Sequence, residues 1–217
     1  MEAFKVSPHL EEIMGTYPDA KLIHKVANNG SESARIALAR LWLSEGIPYA
    51  FKNCPGVYEE MRSWMGSRLS INPKEISISG SARLGQSLAP QKLGKKFDEK
   101  SDLDIFIVSH DLFERLKEDY NKWAYDFESG ALEDKKNIYW KDNLDKGQKN
   151  IYRGFIDSHY IPSFEIYKTV RGIQQTMYLL TEKLKITPHA PTVQKASVRC
   201  YKSWNDYVNQ VTLNLKQ

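Results

Sequence analysis

EISISGS at residues 75–81 and DLDIFIVS at residues 102–109 are the two stretches that decide the fold. The first alternates apolar and polar residues with a period of two, which predicts a strand that runs directly into a Gly-Ser pair. The second opens on Asp-x-Asp and continues as an apolar, β-branched run, which is typical of a buried strand. The two stretches therefore predict neighbouring strands, each with a polar group at one end.

Helical patterns surround these two strands. Apolar residues repeat at helical spacing in several segments, and a cap or a proline marks the start of most of them. The predicted helices lie at 32–44, 55–69, 113–127, 163–184 and 204–215. Residues 196–201 alternate as a short strand and 151–161 look extended, whereas 130–150 show no clear period. The fold class expected is α/β in the α+β sense, with a small mixed sheet flanked by helices.

The same pattern suggests three regions along the chain. We expect an N-terminal helical region at residues 1–54 and a core at residues 55–162 that carries both strands described above. Residues 163–217 are expected to form a basic helix–strand–helix that packs on this core.

Composition excludes several classes of protein. The chain has 217 residues, 41% of them hydrophobic, with five Trp, twelve Tyr and eight Phe, which is too much apolar surface for a disordered protein. Two cysteines can form at most one disulfide bond, which is too few to stabilise a chain of this length, so we expect the protein to lie in a reducing compartment. No apolar run approaches the ~18 residues of a membrane span, and residues 1–15 do not resemble a signal peptide. A cytoplasmic protein without membrane contact is expected.

Positive charge is concentrated at one end of the chain. The net charge is +4, but residues 168–217 hold eight basic and two acidic residues and so carry +6. Such an end suggests a polyanionic partner, a nucleotide or a nucleic acid, although charge alone favours a solvated lysine-rich face. In the strand predicted at residues 196–201, one face carries Ser197, Arg199 and Tyr201. This face either contacts a nucleotide or is simply half-exposed to solvent.

Four residues at the ends of the two strands carry recognisable chemistry. Gly80 allows a tight turn and close approach of a ligand, and Ser81 offers a hydroxyl and an N–H to a phosphate oxygen. Asp102 and Asp104 are two residues apart on a strand, so their side chains leave the same face. Adjacent carboxylates repel unless a cation lies between them, and oxygen ligands favour Mg²⁺ or Mn²⁺. The alternative is a strand that begins with solvated aspartates.

This combination resembles the signature of the DNA polymerase β-like nucleotidyltransferase superfamily: a strand, Gly-Ser, a gap, then an Asp-hydrophobic-Asp strand. The resemblance covers about residues 55–110. It implies that Gly80 and Ser81 hold the β- and γ-phosphates of a nucleoside triphosphate (NTP). It also implies that Asp102 and Asp104 bind Mg²⁺, and that the fold is the one of that superfamily.

Two features depart from that signature. Twenty residues separate Ser81 from Asp102, more than in compact members, and this basic insert either covers a triphosphate or is a solvated loop. Arg83, two residues past Ser81, is the insert residue that we expect to contact phosphate. Active members also supply a third carboxylate from a later strand; Asp157 in an extended segment suits this role better than Glu165 near a helix start.

The function expected is a Mg²⁺-dependent nucleotidyltransferase, in which an acceptor hydroxyl attacks the α-phosphate of an NTP and releases pyrophosphate. Asp102, Asp104 and Asp157 are the predicted catalytic residues, and Gly80, Ser81 and Arg83 the predicted nucleotide-binding residues. The sequence does not decide whether the acceptor is a small molecule, a protein or RNA. The alternatives are a weakly active or inactive nucleotide-binding module with a protein partner, as in toxin–antitoxin or phage-defence systems, and a nucleic-acid-binding protein.

Overall fold

The computed structural model describes residues 6–132 and 137–216, without the side chains of residues 137 and 138. The first five residues of the predicted region 1–54 therefore lie outside the described residues. The α-helices are α1 (Pro8–Glu11), α2 (Ala20–Asn29), α3 (Glu32–Ala37), α4 (Pro55–Leu69), α5 (Gly80–Leu84), α6 (His110–Glu128), α7 (Asn137–Tyr152), α8 (Lys168–Ile186) and α9 (Trp204–Asn214). The strands are β1 (Ile76–Ile78), β2 (Leu103–Val108), β3 (Phe155–Asp157) and β4 (Ala196–Tyr201).

The strands form one mixed sheet in the order β1-β2-β4-β3. β1 and β3 run antiparallel to their neighbours, whereas β2 and β4 are parallel to each other. The α+β class predicted from the sequence is thereby confirmed. Strand β4 belongs to residues 163–217 and lies between β2 and β3, so the sheet draws its centre from both the predicted core and the predicted C-terminal region.

One face of the sheet carries the main hydrophobic core. Alternate residues of β2, namely Leu103, Ile105 and Ile107, are buried there together with Val198 and Cys200 of β4. Helices α4, α6 and α8 cover this face, and the side chains that they bury include the fully buried Trp123 and Tyr167. Because side chains alternate along a strand, the intervening residues of β2 and β4 must point to the opposite face.

The opposite face is apolar at one end and polar at the other. At the apolar end, Phe106 stacks on Tyr207 of α9 with ring centroids 4.3 Å apart, and Phe155 and Tyr201 complete a small aromatic cluster. Helix α9 in turn packs against the N-terminal helices, where Leu215 joins the cluster around Ile23. At the polar end nothing comparable covers the described strands, and a cavity opens there.

Two predicted helices differ from those observed. Residues 32–44 are helical as expected, but the α-helix ends at Ala37 and continues as a π-helical segment, Leu38–Trp42. The helix predicted from residue 163 begins only at Lys168. The reason is that Asp119 of α6 accepts a hydrogen bond from the Val170 N–H and so caps the helix from outside. Among the described residues, no helix has the length and apolarity needed to cross a membrane.

Candidate active site

A cavity of about 880 Å³ opens on the polar end of the second sheet face. This volume lies in the range of small-molecule sites. Most of its polar lining residues come from the strand ends: Ser79, Gly80, Asp102, Asp104, Asp157, His159, Lys195, Ser197 and Arg199. His24 of α2 and Asn214 of α9 are the other polar residues among the described lining. Its apolar wall comes largely from the N-terminal helices and α9: Ile23, Ala27, Leu43, Tyr201, Tyr207, Val211 and Leu215. One half of the cavity therefore suits a charged group and the other half an apolar or aromatic one.

Asp102 and Asp104 both line this cavity, as the strand spacing predicts. Asp104 is exposed, and its Oδ1 accepts a hydrogen bond of 2.9 Å from the hydroxyl of Ser197, its partner across the sheet. Asp102 Oδ2 lies 3.4 Å from the Lys195 Nζ, but its Oδ1 is buried and has no hydrogen-bond partner among the described residues. A buried carboxylate oxygen without a partner is costly, so a cation or a hydrogen-bond donor at this atom would be stabilising.

Gly80 brings the backbone against the carboxylate of Asp104. Its φ is +64°, and a Cβ at this position would lie 3.0 Å from Asp104 Oδ2. The positive φ favours glycine, and a Cβ would in addition make a tight contact with the Asp104 carboxylate. Ser81 is the second residue of α5 and is half-buried; Ser79 and Gly80, rather than Ser81, line the cavity.

Asp157 lies in the same cavity, but its carboxylate is engaged. Arg199, its cross-strand partner, donates from Nε to Oδ1 at 2.7 Å and from Nη2 to Oδ2 at 3.0 Å. Asn150 of α7 donates a further bond of 3.2 Å to Oδ2. Burial alone would lower the pKa of the Arg199 guanidinium, but the adjacent Asp157 carboxylate more than offsets this and raises the pKa above its usual value. The guanidinium therefore keeps its positive charge, and Asp157 lies buried beneath it.

Glu165, the other candidate for a third carboxylate, lies outside the cavity. Its side chain is 87% exposed and pairs with Arg171 at 2.8 Å. Of the two candidates, only Asp157 shares the cavity with Asp102 and Asp104.

Arg83 does not reach the cavity, contrary to the expectation of a phosphate contact. It is 2% exposed and donates from Nε to the Trp42 carbonyl at 3.0 Å and from Nη1 to the Ile47 carbonyl at 2.8 Å. Burial lowers its pKa. The side chain points from α5 toward the N-terminal region because two backbone carbonyls there need donors, and it ties that region to the core.

We predict that Arg83→Lys destabilises the protein by about 1–3 kcal/mol, because a lysine ammonium cannot serve two divergent carbonyls in the way a guanidinium does. The measurement is urea unfolding, with Arg153→Lys, an exposed arginine, as the matched control. Affinity for an NTP should stay within about twofold of wild type, since no nucleotide contact is removed. Unchanged stability together with weaker nucleotide binding would restore the phosphate role.

The lysines of the insert lie at its surface. Lys92, Lys95, Lys96 and Lys100 are exposed, and none of them lines the cavity. The insert instead contributes Leu88, Ala89 and Pro90 to the cavity wall. Of the two interpretations of this basic segment, the solvated loop describes its lysines better.

The pKa of the His159 imidazole depends on the charges around the cavity. Partial burial lowers the pKa of its imidazole below the ordinary value near 6.5, Asp157 raises it, and Arg199 and Lys195 lower it. We predict that Asp157→Asn lowers the His159 pKa further, because the only one of these charges that favours the imidazolium is then removed. Proton NMR titration of the imidazole resonances, assigned with His159→Gln, measures this. A pKa that rises in Asp157→Asn would contradict the geometry.

Several cavity residues were not identified as site residues from the sequence. Lys195 entered only as part of the basic C-terminal end. Asn150, which does not line the cavity but donates to Asp157, lies in a segment without clear periodicity. The apolar wall includes Ile23 and Ala27 of α2, more than fifty residues before the Gly-Ser pair. No local signal marks such residues, because their proximity to the site comes from packing of distant elements.

The donor set at the cavity fits a hard divalent cation in part. Asp102 and Asp104 offer carboxylate oxygens, one of them buried and without a partner in the described part of the chain, and carboxylate oxygens suit Mg²⁺. Within residues 6–132 and 137–216 no group of three or more His, Cys, Asp or Glu side chains is arranged to hold a metal ion. Mg²⁺ is commonly held by one or two carboxylates together with waters and substrate phosphates, so two carboxylates are a sufficient protein contribution.

Comparisons of the chain with protein-family models, with curated proteins and with solved structures found no match.

Proposed function

We propose that this protein is a Mg²⁺-dependent nucleotidyltransferase that transfers a nucleoside monophosphate from an NTP to an acceptor hydroxyl. The observation that carries the proposal is the carboxylate pair of Asp102 and Asp104, which opens into a cavity that is charged on one wall and apolar on the other. The resemblance of the strand, Gly-Ser and Asp-x-Asp pattern to the polymerase β-like superfamily supports the same reaction class.

In this proposal Asp102 and Asp104 hold the metal ions, with Asp102 Oδ1 supplying the oxygen that otherwise lacks a partner. Bound Mg²⁺ would neutralise charge on the phosphate oxygens and on the leaving pyrophosphate. Ser197 orients Asp104 through its hydrogen bond to Oδ1. Gly80 keeps the chain close to that carboxylate without a side chain in the way.

The positive charges that face the phosphates come mainly from β4 and the residue before it. Lys195 and Arg199 both line the cavity, whereas Arg83 and the insert lysines do not. Arg199 uses two of its five N–H donors on Asp157, which leaves donors for a phosphate. Gly80, which lines the cavity, remains the proposed contact to the β- and γ-phosphates, whereas Ser81 is not among the lining residues. The apolar wall around Tyr207 and Val211 would receive the base and sugar.

Asp157 has two proposed roles that differ in what they require. As an anchor it holds Arg199 in place, which is the arrangement observed. As a third carboxylate that orients or deprotonates the acceptor, it would have to release Arg199 and contact the acceptor hydroxyl instead. The bidentate pair favours the first role in the absence of substrate.

The test is transfer of label from each of the four α-³²P-labelled NTPs, with Mg²⁺ or Mn²⁺, to candidate acceptors, with pyrophosphate release measured in parallel. Labelled acceptor and pyrophosphate should form in equal amounts and only with metal present. The Asp104→Asn protein, altered at an exposed side chain, serves as the matched inactive control. Absence of transfer from any NTP to small-molecule, protein and RNA acceptors would contradict the proposal.

A second candidate is a nucleotide-binding module that catalyses transfer weakly or not at all. The pairing of Asp157 with Arg199 favours it, because Asp157 is the one candidate for a third carboxylate among the described residues that line the cavity, and it is already paired. Calorimetry separates the two: metal-dependent NTP binding without any transfer supports the module.

A further inference from the structure

We propose that the acceptor is the end of a single-stranded polynucleotide, bound in a groove that leads away from the cavity. The transfer step of this inference rests on the proposed function, whereas binding of the strand does not. In that step the terminal hydroxyl oxygen forms a bond to the α-phosphorus of the NTP. The bond from that phosphorus to the oxygen bridging to the β-phosphate breaks, pyrophosphate leaves, and the hydroxyl proton passes to water.

Two depressions continue the cavity along the protein surface. One, of about 410 Å³, shares His159, Lys195 and Ser197 with the cavity. The other, of about 480 Å³, lies beyond it and shares His159 and Gln174 with the first. We call the two depressions together the acceptor groove. An extended ligand in it would have one end beside Asp104, since Ser197 belongs to the groove and contacts that carboxylate.

The walls of the acceptor groove present aromatic side chains to solvent. Tyr178 is 66% exposed in the near depression, and Tyr139 (60%) and Phe164 (42%) line the far one. Phe164 is held edge-on by the buried Trp140 at a centroid distance of 5.9 Å. Exposed aromatic side chains in both depressions, with Gln174 common to the two, form the kind of surface that unstacked bases bind.

The charge of the groove suits a polyanion. Lys195 and Lys185 line the near depression with side chains that are 70% and 53% exposed. Glu182 is the acid among the described lining residues of the two depressions, and it is paired with Lys185 at 2.6 Å. The two lysines lie at the end of the groove nearest the cavity, and exposed aromatic side chains continue beyond them. Such aromatic surfaces favour a single strand over a duplex, whose bases are already stacked on each other.

Fluorescence anisotropy tests the groove without NTP or metal. The probes are fluorescein-labelled single-stranded RNA and DNA of the same sequence and the corresponding duplexes, in EDTA at low and at moderate salt. We expect single strands to bind more tightly than duplexes and to weaken steeply with salt. The Tyr178→Ala and Lys185→Gln variants should each bind the single strands at least about threefold more weakly than wild type. Phe164→Ala should weaken binding in the same way as Tyr178→Ala. Tyr125→Ala, an exposed aromatic of α6 outside both depressions, is the matched control.

The outcomes separate this inference from the proposed function. Groove-dependent binding that persists in Asp102→Asn/Asp104→Asn supports the groove whether or not transfer is found. A preference for RNA over DNA identifies the 2′-hydroxyl as part of recognition and supports the same groove. Failure to bind any single strand at low salt, equal binding of duplex, or equal affinity in Tyr178→Ala, Lys185→Gln and Tyr125→Ala would overturn it. So would transfer to a non-nucleic acceptor that the groove variants leave unchanged.

Discussion

Asp102→Asn combined with Asp104→Asn should lower nucleotide transfer by a factor of about 1000 or more, because a metal's charge stabilisation contributes several kcal/mol and each 1.36 kcal/mol is tenfold in rate. Asparagine keeps the volume of each side chain and one oxygen, but it removes the two negative charges that would hold the cation. Transfer from the best of the four labelled NTPs measures the loss, and calorimetry with Mg²⁺ and NTP reports whether binding is lost with it.

The double variant should remain folded. Asp104 is exposed, and an asparagine there still accepts the bond from Ser197. Asp102 gives up only a contact of 3.4 Å to the exposed Lys195, and removing two neighbouring like charges relieves their repulsion. Thermal unfolding should therefore stay within a few degrees of wild type, roughly what 1 kcal/mol produces in a chain of this size. Asp111→Asn, an exposed acid at the start of α6, is the control. Transfer that survives the double substitution in a folded protein would remove both aspartates from the mechanism.

The sequence predicted those features that depend on a pattern among a few neighbouring residues. Alternation over a few residues predicted β1 and β4, and an apolar, β-branched run predicted β2. Alternation also predicted that Ser197, Arg199 and Tyr201 share a face. The same two-residue period put Asp102 and Asp104 on one side of a strand, and both line one cavity. These results depend on the pleat of a strand, which is the same wherever the strand lies in the fold.

What the sequence did not reveal depends on contacts between distant residues. Arg83 follows the Gly-Ser pair by two positions, which suggests a phosphate, yet its donors meet carbonyls 36 and 41 residues earlier in the chain. The cap of α8 comes from Asp119, 51 residues before the Val170 N–H that it accepts. Asp157 meets Arg199 42 residues later. No local pattern encodes such pairs, because they arise when separate elements pack.

The Asp157–Arg199 pair gives the second large effect. Arg199→Met should lower the free energy of unfolding by about 2 kcal/mol, since it leaves a buried carboxylate with Asn150 as its remaining partner. The value lies below that of a fully buried pair because about a third of the Arg199 side chain is exposed. Arg171→Met, which breaks the exposed pair with Glu165, should change stability by less than about 0.5 kcal/mol and is the matched control.

A double-mutant cycle isolates this interaction from other effects of the methionine. Asp157→Asn alone should cost about 1 kcal/mol, because the partly exposed guanidinium can turn to water. Arg199→Met added to Asp157→Asn should then cost little more, since the buried charge is already gone. Additive losses, with no coupling between the two sites, would contradict the geometry of the pair.

The same variants decide what Asp157 does in the proposed reaction. If Asp157 anchors Arg199, Asp157→Asn leaves the arginine's charge in the cavity and should lower transfer less than about tenfold, whereas Arg199→Met should weaken NTP binding. If Asp157 instead acts as the general base that removes the proton of the acceptor hydroxyl, Asp157→Asn should lower transfer about 10²–10⁴-fold and leave NTP affinity unchanged. The first result is expected, because the carboxylate observed here already accepts three hydrogen bonds, two from Arg199 and one from Asn150, and is buried beneath the arginine. A base that must first break such a pair loses much of its advantage over water, whereas an anchor is effective in the conformation it already has.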